Sequence, residues 1–155
     1  MPATPFRVAL CAALLAVAGA SPATPEPPPA TLDALFPSGR LSVPLEALAA
    51  RYPLPADADF VIHEVARDAH SSHHAVWIRD REQPHRHDRH DLLVLIVRGF
   101  GTMRLGAETQ PVGTGSILYV PRGTPHAFAN ASGEPALAYA VYAPAFDGQD
   151  RVPVD

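Results

Sequence analysis

From Asp59 onward the chain divides into short apolar runs separated by turn-forming residues. The runs at 60–66, 75–79, 92–98, 102–105, 109–112, 117–120, 127–130 and 136–143 are rich in β-branched, aromatic and small aliphatic residues, which predicts strands. Between them stand Gly99, Gly101, Gly106, Gly113, Gly115 and the breakers at 121–123 and 132–134. About eight short strands at close spacing, with no convincing helix after residue 55, indicate an antiparallel barrel or jelly roll. Upstream, 44–51 reads as a short helix with Pro44 in its first turn and Leu45 and Leu48 on one face. Pro53 and Pro55 stop it, so the region 31–55 is expected to lie as a lid or packing strap over one side of the barrel.

The first residues carry a different pattern. Arg7 precedes an uninterrupted small and apolar run at 8–18, and Ala18-Gly19-Ala20 matches a small-x-small cleavage site. The run is about half of the ~20 residues a membrane-spanning helix needs, so a cleaved export signal is expected, with the mature chain starting near Ser21. The expected layout is a signal peptide at 1–20, a proline-rich linker and short helical extension at 21–58, a barrel at 59–148 and a C-terminal tail at 149–155. Secretion or delivery to the periplasm follows, with no membrane association after cleavage.

Composition removes several function classes. The only cysteine, Cys11, lies inside the expected signal behind Leu10, a poor context for lipidation. A mature chain without cysteine has no disulfide, no thiolate ligand and no thiol nucleophile. All 12 basic residues are arginine, against 16 acidic ones, for a net charge of -4. Neither a basic stripe nor an RNA-binding signature is present, so nucleic acid is not an expected partner.

All eight histidines lie between residues 63 and 126. In a strand, residues two apart share a face, so His85 and His87 can aim together into the barrel. A third histidine, His126, follows a buried run and a tight turn preset by Pro121 and Gly123, and is delivered to the same interior. Imidazoles with at most one carboxylate suit a divalent iron, manganese, copper, nickel or zinc ion; calcium and magnesium prefer oxygen shells. His63, His70, His73 and His74 are expected at the surface, although His74 shares a strand face with Val76 and Ile78 and could reach the interior.

Residues 115–130, from Gly115 through Pro121, Gly123 and His126 to Asn130, resemble the second motif of the cupin superfamily, G-x5-P-x-G-x2-H-x3-N. Residues 85–99 resemble the first motif, H-x-H-x(3,4)-E-x6-G, and the short stretch from Gly99 to Gly115 resembles the spacing of small single-domain bacterial cupins. The resemblance covers roughly 60–145 and implies an all-β, single jelly-roll barrel with a short N-terminal extension. It also implies one divalent transition metal held by His85, His87 and His126, with an acidic residue as fourth ligand. That last position is out of register. Asp91 lies three residues after His87, but seven residues separate it from Gly99 where the family has six. An unbulged strand would turn Asp91 outward, so three outcomes stand: a β-bulge brings Asp91 inward, His90 replaces it, or three histidines act alone.

The resemblance further implies a metal-dependent oxidoreductase of dioxygenase type acting on a small organic molecule. A non-catalytic module that captures a metal or small ligand is the alternative, and a sugar isomerase or epimerase a third. A homodimer is an expectation from the family. No nucleophile–base pair, phosphate-cradling loop or dinucleotide fingerprint is visible.

Overall fold

The computed structural model describes residues 28–154. The expected signal peptide at 1–20 and most of the proline-rich tether lie outside the described residues. Two five-stranded antiparallel sheets face each other. One has the order β3 (Phe60–Arg67), β4 (Ser72–Ile78), β11 (Ala136–Ala143), β6 (Asp91–Arg98) and β9 (Ile117–Val120). The other runs β12 (Val152–Pro153), β5 (His85–Arg86), β10 (His126–Asn130), β7 (Phe100–Leu105) and β8 (Glu108–Gly113). This is an all-β jelly roll, as the run of short strands predicts.

Alternation along the strands sorts side chains between two cores. Val76, Ile78, Leu92, Ile96, Ala138, Ala140 and Tyr142 face inward and meet Met103, Val112 and Phe128 of the opposite sheet. The other parity of the same strands carries Ala75, Trp77, Leu137 and Tyr139 onto the outer face of the first sheet, where they form a second buried cluster. Strands buried on both faces read as nearly continuous apolar runs, which is why β11 is ALAYAVYA with little polar alternation.

What covers that outer face is the N-terminal extension. A hairpin, β1 (Thr31–Phe36) and β2 (Gly39–Pro44), leads into a 3-10 turn at Leu45–Ala47 and one turn of helix, α1 (Leu48–Arg51). Leu48 is completely buried against this sheet, and the Trp77 indole N–H donates to the Tyr52 carbonyl at 2.6 Å. The extension is thus a strap on the outside of the barrel and contributes a hairpin that its sequence did not lead us to expect. The Pro37-Ser38-Gly39 turn is the signal that could have revealed it, with Gly39 at φ 125°. The expected tail at 149–155 also differs, since Val152–Pro153 forms an edge strand paired to β5.

Candidate metal centre

His85 and His126 are direct cross-strand partners of β5 and β10, so their side chains project from the same face of the sheet. His87 lies just beyond the short strand β5. The turn of the second motif is fastened to it, because the Gly123 N–H donates to the His87 carbonyl at 2.6 Å, with Gly123 at φ 77°. The two histidine motifs are therefore joined by backbone. One ligand-capable nitrogen from each of His85, His87 and His126 lies within 4.8 Å of the others, and all three residues are buried.

Hydrogen bonding decides which nitrogen that is. The His85 Nδ1–H donates to the Gln83 carbonyl at 2.9 Å and the His126 Nδ1–H to the Thr124 carbonyl at 2.9 Å. His87 Nδ1–H donates to the carbonyl of Asp150. A carbonyl only accepts, so in each neutral ring Nδ1 carries the proton and Nε2 keeps its lone pair. The Nε2 atoms of His87 and His126 are buried without a hydrogen-bond partner among the described residues. Buried nitrogens are seldom left so, because desolvation without a partner costs about 1–3 kcal/mol. Converging orphan lone pairs fit a metal ion that accepts all of them.

Burial also sets the charge state. It pushes the His85 pKa down to about 3, with His126 and Arg151 adding to the effect, and that of His126 down to about 4. His87 is lowered by the same cause. The cluster is neutral near pH 7, the form in which imidazole ligates, so no proton has to be displaced by an incoming cation.

The expected fourth ligand is corrected by strand parity. The bulge of β6 falls between the partners of Leu137 and Ala138, at Val97, and not near Asp91. Leu92 and Ile96 therefore point inward and Asp91 outward, where its carboxylate is taken up by Arg122. Asp91 does not join the histidine group. His90 has the inward parity and is buried, but its Nδ1 lies 2.5 Å from the Asp150 carboxylate, and it stands outside the three-histidine group. Among the described residues, the group is three histidines without a carboxylate. His74 is likewise not a surface residue. It is only 4 % exposed, with the ring of Tyr142 against both it and His87.

Behind the cluster lies a chamber of about 40 Å³, lined by His85 and His126 and by apolar side chains including Val76, Leu92, Met103 and Phe128. The small side chains of Ala138 and Ala140 on β11 leave this space open. Two polar groups join the wall: Tyr142, and Glu82, whose Oε2 accepts from the Phe128 N–H at 3.2 Å. Burial raises the Glu82 carboxyl above its ordinary range, opposed by the charge of Arg151 and the Phe128 N–H. Glu82 beside the chamber and Asp150 beside His87 are the two polar neighbours of the cluster that the sequence did not point to. Neither has a motif; Glu82 offers only its place three residues before His85.

Comparison with known proteins bears on the family and the fold. Residues 72–142 match the family described as Cupin domain. An uncharacterized protein from Aquifex aeolicus is 34 % identical over 80 residues, which cover 52 % of this chain and 65 % of that protein's length. The crystal structure of TT1209 from Thermus thermophilus superposes with a TM-score of 0.57 at 22 % identity, covering 63 % of this chain and 94 % of that one. Streptomyces PAC13, described as a unique nucleoside dehydratase, was solved with uridine and superposes with a TM-score of 0.55 at 21 % identity, covering 63 % of this chain and 79 % of that one. At these identities the solved structures establish the shared fold. The match to a cupin domain thus spans residues 72–142 of the barrel.

Proposed function

We propose, from the cupin-domain match over residues 72–142, that this chain is an exported metal-dependent enzyme acting on a small organic molecule bound beside His85, His87 and His126. The observation that carries the reading is the convergence of these rings with every Nδ1 committed to a carbonyl. Three imidazoles suit iron, copper, nickel, zinc or manganese. Three protein ligands also leave positions free for a substrate group. A divalent ion bound there supplies a Lewis acid for an oxygen-bearing substrate.

The chain's own residues define the rest. The apolar wall gives no hydrogen bonds, so the part of a ligand that enters the chamber is oriented by Glu82 and Tyr142. Glu82 holds its proton more tightly than an exposed carboxyl and serves as the proton-handling group. A carboxyl beside a Lewis-acid site supports proton-transfer chemistry, such as elimination or isomerisation, and the nucleoside dehydratase on the same fold is in keeping with it. A second reading, an oxygen-consuming reaction of dioxygenase type, is favoured by the all-nitrogen ligand set and by a chamber of about 40 Å³, room for about three waters or a diatomic molecule.

Reconstitution with Fe(II), Mn(II), Ni(II), Cu(II) or Zn(II), followed by a panel of nucleosides, hydroxy acids, enols and catechols, tests both. Turnover without oxygen uptake supports the first reading and oxygen uptake the second. Stoichiometric metal retention with no turnover on any substrate would overturn both in favour of a binding module. Export rests on Arg7, the apolar run at 8–18 and the Ala18-Gly19-Ala20 site. N-terminal sequencing of the mature protein, expected to start near Ser21, tests it.

A further inference from the structure

The three histidines are not held in the same way. His85 and His126 sit in paired strands, and each ring is fixed by a carbonyl two residues before it. His87 has left the ladder, and its ring is fixed by a carbonyl 63 residues away, that of Asp150. Asp150 is itself 3 % exposed. Its Oδ1 accepts from the Asp88 N–H at 3.0 Å, and its Oδ2 from the Arg89 N–H at 2.8 Å and from His90 Nδ1 at 2.5 Å. One residue thus receives the backbone of the loop that follows His87, the buried ring of His90 and the ring of His87.

The flanking chain keeps it there. Val152 and Pro153 pair with Arg86 and His85, the Val154 N–H donates to the Pro84 carbonyl at 3.0 Å, and Arg89 forms an ion pair with Asp147 at 2.9 Å. The two-residue strand β5 would otherwise be an edge, with one neighbour only. Although burial works against ionisation of Asp150, the hydrogen bonds from His90, Arg89 and Asp88 outweigh it and hold the carboxyl at about 2. It is an acceptor-only group throughout the neutral range, matched to three donors.

We propose that Asp150 is the positioning residue of the histidine centre: it fixes the 87–90 loop so that the His87 Nε2 meets those of His85 and His126. The proposal rests on the reading of these three as metal ligands. It makes metal affinity depend on a side chain that touches no metal, an effect of about 10–100-fold for outer-shell partners elsewhere.

Co(II) alone is the probe, added to the full-length metal-free protein, with affinity read by calorimetry and ligand field by visible absorption. Asp150→Ala is expected to weaken Co(II) by about 10–100-fold and to alter the absorption bands, with near-UV circular dichroism retained. Asp150→Asn, which offers one acceptor oxygen in place of two, is expected to lose about 3–10-fold. Asp33→Ala removes the exposed ion pair with Arg40 on the β1–β2 hairpin and should bind within about two-fold of wild type. Equal affinity and unchanged bands in Asp150→Ala, or in Asp150→Asn should the alanine variant not fold, overturn the proposal while leaving the centre standing. Wild type that binds no Co(II) overturns both.

Discussion

The carboxylate of Asp91 lies on the Arg122 side chain, with Oδ2 2.8 Å from Nη2 and Oδ1 accepting the Arg122 backbone N–H at 2.9 Å. The pair joins the start of β6, in one sheet, to the turn that leads into His126 on β10 of the other, at the barrel exterior. Arg122 draws the Asp91 pKa down to about 2, so the carboxylate is ionised but directed away from the cluster. Replacement by alanine should therefore leave metal affinity within about two-fold of wild type, with a slight fall in Tm, because a surface pair contributes little. Calorimetric titration of Asp91→Ala checks this; a loss as large as that of a histidine ligand would return Asp91 to the site.

Removal of a ligand behaves differently. In wild type, a metal that binds only the folded form raises Tm in proportion to the logarithm of its free concentration. His126→Ala deletes one of three ligands and should reduce affinity by more than the ~100-fold typical of outer-shell changes, abolishing that Tm rise. Differential scanning fluorimetry with and without Zn(II) would show it, and a persistent shift would exclude His126 as a ligand.

The metal-free protein should lose stability on mild acidification. His74, His85 and His126 are held by burial at about 4, 3 and 4, below the ordinary value of 6.5. As pH falls below 6.5 the unfolded chain takes up protons that the folded chain refuses, so stability drops across the window from 6.5 to about 3–4. Above 6.5 these groups are neutral in both states and contribute no slope. Thermal melts of apoprotein at pH 7.5 and 5.0 should differ by at least about 5 °C, and bound Zn(II) should raise Tm above that of the apoprotein at either pH.

A Glu82 variant tests the proposed proton-handling role apart from metal binding. Glu82→Gln keeps the side-chain shape and an oxygen for the Phe128 N–H, but cannot exchange a proton. Metal affinity should stay within about two-fold, while turnover of any substrate found falls by about 100-fold or more, the usual contribution of a general acid or base. Steady-state kinetics on the metal-loaded variant decide the matter; full activity would remove Glu82 from the mechanism.

A backbone prediction tests the sheet that carries His126. A Cβ on Gly101 would stand 2.1 Å from the Ala129 carbonyl oxygen on the paired strand β10, and backbone cannot yield as a flexible side chain can. Gly101→Ala should cost several kcal/mol, at the high end for single substitutions, and urea denaturation will measure it.

What the sequence by itself determined is what local chemistry encodes. Short apolar runs and their breakers specify strands, and the eight expected between residues 60 and 143 all form. The Pro121-x-Gly123 turn and the His85-x-His87 spacing mark the histidines because turn geometry and strand period are properties of a few neighbouring residues. Parity near Asp91 was legible only as an open choice. The position of one bulge decides it, and that bulge sits at Val97 through pairing with β11, forty residues further along. Tertiary structure alone brought Asp150 to His87 and Glu82 into the chamber, since neither has a periodic or spacing signal and both act by where the sheets place them. His74 went inside for the same reason: its strand parity allowed either outcome, and the packing of Tyr142 and Phe146 chose burial. Long-range contacts of this kind follow from two sheets closing on each other, and no stretch of sequence contains both partners.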